Sequence, residues 1–184
     1  VFGHGNCVAD ASKPGLDIAI TCYAGDCDDP RVAMSLLNCT TTEQYTSTLA
    51  ILDNQWHHIV VTIDHTYATG GAKFFWRVYF DGAMAAALTS TSTSSFAGPL
   101  YLGNDSLGGD TSYTGLLDDF CYWTTELDAT EVAELYNSGI PSDLNGHSEA
   151  ANLKLWWRMA KGGHPDLTDH SGNSFDGTNS GATA

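Results

Sequence analysis

Residues 98–139 read GPLYLGNDSLGGDTSYTGLLDDFCYWTTELDATEVAELYNSG, and this stretch decides the fold class. A short apolar run, Pro99 to Gly103, precedes a loop rich in Gly, Asp and Ser. A second run follows from Tyr113 to Trp123, and its side chains alternate between two faces. Leu117, Asp119, Cys121 and Trp123 share one face, and Leu116, Asp118, Phe120 and Tyr122 share the other. Neither face is wholly polar, which predicts a strand covered in part on both sides. The helix signal after it is explicit. Asp128 stands at an N-cap position with Glu131 three residues on, the capping-box spacing, and Gly139 follows Tyr136-Asn137-Ser138 as a stop. Val132, Leu135 and Tyr136 fall on one stripe, so one short helix over about 128–138 is expected to lie on a sheet.

Upstream, Leu16 to Tyr23 (LDIAITCY) is a β run ended by a turn over 25–30, and Arg31 to Asn38 returns as a hairpin partner. Thr40 to Thr48 reads as a polar loop or an edge strand. Trp56 to Ile63 alternates, with Ile59, Val61 and Ile63 as the expected core face and His57 heading that stripe as a structural histidine. Phe74 to Phe80 is a strand, and Asp81-Gly82 is a tight-turn signal into Ala83 to Leu88. The STSTSS segment, Ser90 to Ser95, is polar and of low complexity. Runs at this spacing, with Gly/Asp turns and a single helix, predict an all-β sandwich.

Three stretches in order carry a family resemblance: NQWHHIVVTID (Asn54 to Asp64), FFWRVYFDGAMAAAL (Phe74 to Leu88) and GLLDDFCYWTTELDATEVAELYNSG (Gly115 to Gly139). Together they resemble laminin-G-like, concanavalin-A-like jelly-roll domains. The resemblance implies a two-sheet antiparallel jelly-roll sandwich with one short helix; it is specific for fold and not for activity. The tail departs from the family's order. LTDHSGNSFDGT, Leu167 to Thr178, resembles the opening strand and loop of such domains but stands at the end of this chain. The chain therefore divides into a sandwich over residues 1–148 that lacks the family's first strands, and a C-terminal strand and Gly/Asp/Ser-rich tail over 149–184. In that tail Leu153, Leu155, Trp157 and Met159 are expected inward, with Trp156 on the other face. Three roles are open to it: completing its own sandwich, serving as an appended strand pair, or completing a neighbouring copy by strand addition. The last would propagate head to tail into filaments. The start at Val1, without an initiator Met, is the expectation for a processed or partial chain.

Charge and cysteines bound the setting. A net charge of −15 with seven Lys and Arg leaves no basic stripe for nucleic acid, and it disfavours an anionic membrane surface. No apolar run reaches transmembrane length. Cys22 and Cys27 bracket a short loop and are the expected disulfide, which implies an oxidising compartment. The count of five leaves one thiol over. Cys121 is read as a buried small hydrophobe, and Cys7 or Cys39 as the partner for a bond outside the chain. Asn38 and Asn104 head glycosylation sequons.

Relatives of this kind often hold calcium at the sandwich rim. The resemblance makes Asp118 a candidate ligand with Asp169 and Asn173, an oxygen-rich set of the type calcium takes; turn formation is the alternative role for each. Trp156, Trp123 and Tyr113 are candidate platforms for stacking on sugars, with core packing as the alternative. No carboxylate pair suits glycoside hydrolysis, and no nucleophile elbow or phosphate loop occurs, so no catalytic residue is expected. The reading is a non-enzymatic structural subunit of an extracellular filament, cell surface or virion, with other copies of itself as partners. The alternative is a calcium-dependent glycan- or receptor-binding module.

Overall fold

The computed structural model describes residues 2–4, 15–23, 26–38, 41–50, 55–67, 70–71, 74–91, 100–103, 115–159 and 166–181; the strands up to Ala50, and Tyr101, are described by backbone alone. Among them are β1 (Phe2–His4), β2 (Gly15–Tyr23), β3 (Asp26–Asn38), β4 (Thr41–Ala50), β5 (Ile59–Asp64), β6 (Phe74–Phe80) and β7 (Ala83–Ser90). Then come β8 (Leu100–Leu102), β9 (Phe120–Trp123), the helix α1 (Ala129–Tyr136), β10 (Leu153–Met159) and β11 (Asp166–Asp169). Hydrogen bonding orders the strands as β4-β3-β2-β1-β8, β5-β6-β7 and β11-β10-β9. Registers in the first and last of these sheets are antiparallel throughout. The class is the expected all-β sandwich with one short helix.

Two compact units divide the chain. The first takes Val1–His57, Ile63–Trp76 and Ala86–Thr114; the second takes His58–Thr62, Arg77–Ala85 and Gly115–Ala184. In the first, β2 and β3 form the expected hairpin, but β3 begins at Asp26, with a bulge between Cys22 and Tyr23. Most of the stretch expected as a turn is therefore strand. Thr41 to Thr48, expected as a polar loop or edge strand, lies in strand β4 at the sheet edge.

In the second unit Tyr79, Leu127, Val132, Leu135, Leu144, Leu153 and Trp156 form the buried cluster, with Val60, Cys121 and Trp123 packed against it. In β5, Val60 packs against this cluster and Thr62 is buried, while Ile59, Val61 and Ile63, the expected core face, are half-buried on the opposite side of the strand. Thr62 is buried because its hydroxyl has a partner, donating to Glu126 Oε1 at 3.3 Å, and the Arg77 guanidinium pairs with the same oxygen. Asp81 and Gly82, both at positive φ (48° and 78°), turn β6 into β7 as a primed two-residue hairpin. Gly82 is held for a second reason: a Cβ there would lie 2.6 Å from the Tyr136 ring. The helix has the predicted boundaries. The Asp128 carboxylate accepts from the Thr130 and Glu131 N–H groups, and Glu131 returns a bond to the Asp128 N–H. Asn137 takes the left-handed C-cap, ahead of Gly139.

Candidate functional site: the C-terminal strand and its loop

The expected strand over 113–123 is shorter in the structure. β9 begins at Phe120, because Asp119 sits at φ 50° and breaks the extended run before it. Leu116 and Leu117 are exposed there rather than packed. Inside β9 the alternation does hold. Cys121 and Trp123 pack on the core while Tyr122 faces outward, 56% exposed.

β10 pairs with β9 in the same chain, and it carries a bulge. Leu153 stands opposite Trp123 and Leu155 opposite Tyr122, so two steps on β10 match one on β9. The extra residue flips the parity of everything after it. Leu153 and Trp156, three apart, therefore enter the same core beside Trp123 and Cys121, although strict alternation would separate them. The expectation that Trp157 points inward and Trp156 outward is corrected on this ground. Trp156 is only 2% exposed, and its indole N–H donates to Asp119 Oδ1 at 3.0 Å. It is not a surface platform for a sugar.

A bulge leaves carbonyls without ladder partners, and the loop after β11 supplies them. Ser171 Oγ donates to the Lys154 carbonyl at 3.1 Å, and Asn173 Nδ2 donates to the Leu153 carbonyl at 3.0 Å. Asp169 is the hub of the same loop. Its Oδ1 accepts from the Trp156 and Ser171 N–H groups at 3.0 and 2.9 Å, and its Oδ2 accepts from the Phe175 N–H at 3.0 Å. Its own N–H donates to Asp176 Oδ1 at 2.8 Å, and the His170 N–H donates to the Trp156 carbonyl at 2.8 Å. Burial pushes the Asp169 carboxyl upward. The N–H donors of Phe175, Ser171 and Trp156 outweigh that and hold its pKa at about 2.

On the outer face Trp157 lies 5.7 Å from the Phe120 ring and donates its indole N–H to the Phe175 carbonyl. Gly177 is pressed against it; a Cβ there would come within 3.1 Å of the Trp157 ring. The loop is thus stitched to both faces of β10.

The other anticipated site residues fall as follows. Asp118 is exposed in the irregular segment before β9, and it is its neighbour Asp119 that reaches the tail. Asp169 and Asn173 both bond to β10, and among the described residues no group of three or more His, Cys, Asp or Glu is placed to hold a metal. Trp123 is half-buried against the core, its ring 4.7 Å from that of His147. Tyr113 and Asn104 lie outside the described residues, as do the side chains of Cys22, Cys27 and Asn38; Cys22 is in β2, and Cys27 and Asn38 are in β3. Cys121 is a free cysteine, half-buried against the core. Burial pushes its pKa up to about 11 against the effect of the Trp123 indole, and the Asp119 charge adds to the rise.

Sequence reasoning missed Asp119, Ser171 and His147. A signal existed for one of them. Asp169-His170-Ser171 has the spacing at which an aspartate binds the N–H two residues on, which marks the turn that Ser171 completes.

The family comparison bears on this architecture. A laminin-G-type model described as the concanavalin A-like lectin/glucanase superfamily matches residues 7–133. The chain belongs to that superfamily. The match ends inside α1, so the bulged strand and its loop lie beyond it. No curated protein and no solved structure matches the chain.

Proposed function

We propose that this superfamily member is a non-enzymatic, extracellular structural module that assembles with other copies of itself through side-chain surfaces, its tail staying in its own sheet. One observation carries the reading. The residues considered for a calcium-dependent sugar site already serve the fold: both Asp169 oxygens accept backbone N–H bonds, the Asn173 amide nitrogen donates to the Leu153 carbonyl, and the buried Trp156 indole donates to Asp119. Losing one of these bonds to a ligand would cost the strand or loop that it supports. Large apolar side chains that face solvent, among them Met84, Leu116 and Ile140, are the kind of surface such assembly uses. The acidic composition, the cysteines and the two sequons favour an extracellular setting.

Sedimentation velocity of the purified chain over a range of concentration, with and without calcium, tests the reading. Concentration-dependent assembly that ignores calcium is expected. A monomer at every concentration that retains glycans only when calcium is present would replace it with the lectin-like reading.

A further inference from the structure

His147, whose ring lies against Trp123, has hydrogen-bond partners on its backbone and on both ring nitrogens. It is buried, with its side chain only 2% exposed. Its backbone N–H donates to the Leu144 carbonyl, and its own carbonyl accepts from Ala150. Its ring bridges two elements. Nδ1 accepts the Glu149 N–H at 3.0 Å, and Nε2 lies 3.0 Å from the Glu131 carbonyl on α1. A backbone N–H can only donate and a carbonyl can only accept. The ring is therefore neutral, with its hydrogen on Nε2 and a lone pair on Nδ1.

We infer that His147 is an acid-sensitive latch that fastens α1 to the segment leading into β10. A proton added to the ring must go onto Nδ1, where the Glu149 N–H already points. Two hydrogens then face each other, the Glu149 bond is lost, and a charge sits in a buried site.

The charged groups around the ring decide whether that state is reachable. From α1, Glu134 Oε2 lies 3.8 Å from Nε2, and it also accepts from the Ser148 hydroxyl at 2.5 Å. It gives the imidazolium a partner on the side away from the broken bond, so protonation opens the latch without unfolding the unit. The Glu131 carboxylate is turned to the Asp128 N–H, and the Glu149 carboxylate takes the Asn152 amide at 2.5 Å. From β9 the ring meets only the Trp123 indole. Opening releases the 147–152 connection and the indole face that His147 covers.

Nuclear magnetic resonance on the intact chain tests the latch. At neutral pH the imidazole nitrogens of His147 should report hydrogen on Nε2 and none on Nδ1. As the pH is lowered from about 7.5 until the ring nitrogens themselves report protonation, the Glu149 amide should lose about tenfold in protection after correction for intrinsic rate, while the Trp156 amide keeps its own. His147→Gln, which offers an acceptor and a donor but does not titrate, should show a flat profile. His58, whose pKa burial lowers against the Asp81 charge, titrates elsewhere and does not touch this amide. A hydrogen on Nδ1 at neutral pH, or unchanged Glu149 protection through the titration, overturns the inference. If the Gln variant does not fold, those two wild-type readouts decide it alone.

Discussion

The helix α1 and the strand β10 bury side chains in one cluster, yet they satisfy their backbones in opposite ways. The helix is closed from within. Asp128 and Glu131, three residues apart, serve each other's N–H groups, and the left-handed Asn137 ends the run. The strand is closed from a distance. Its bulge exposes the Leu153 and Lys154 carbonyls and the Trp156 N–H, and these are met by Asn173, Ser171 and Asp169 across separations of 13 to 20 residues. Local closure spreads small contributions over several groups. Remote closure concentrates dependence on one hub, so substitutions in the two regions should differ in size.

The largest effect is expected at that hub. Asp169→Ala strands three N–H groups at once and should cost about 4 kcal/mol in denaturant unfolding, with Asp169→Asn near half of that because its amide nitrogen cannot accept. Acid reaches the same group without mutation. The Asp169 pKa is lowered from 3.8 in the unfolded chain to about 2, so its contribution is complete above about pH 4 and is lost as pH falls toward 2. That loss should reach about 2 kcal/mol and be missing from the pH profile of Asp169→Ala. Asn173→Ala removes the partner of one carbonyl and should cost about 1–2 kcal/mol by the same measurement. Asp128→Ala, at the locally closed helix, should cost about 1 kcal/mol, since water can reach the freed N–H groups at an exposed cap. If Asp128→Ala proves costlier than Asp169→Ala, the contrast between the two regions fails.

The same contrast explains what the sequence allowed to be read. A capping box is a fixed spacing between two residue types, so α1 was legible to within a residue or two. The Asp81-Gly82 turn was legible for the same reason. The family's ordered motifs carried the fold class. A bulge has no such signature: LKLWW alternates on paper, and only pairing with β9 shows that one residue is skipped and Trp156 turns inward. The burial of Thr62 in β5 was not legible, because a threonine reads as polar until its partners, Glu126 and Arg77, are in view. Asp169 and Asn173 were singled out as candidate calcium ligands. What spacing could not tell is that each of them also bonds a backbone group of β10.

The central claim is that the loop after β11 closes the bulge of its own chain, and amide hydrogen exchange at Trp156, Ser171 and Phe175 tests it most directly. These three N–H groups share one carboxylate. They should be protected together in dilute protein, to an extent that does not change with concentration, and should lose protection together in Asp169→Ala. Protection that appears only as concentration rises would mean that the loop closes a neighbour's strand, and the account of a self-completed sheet would be wrong.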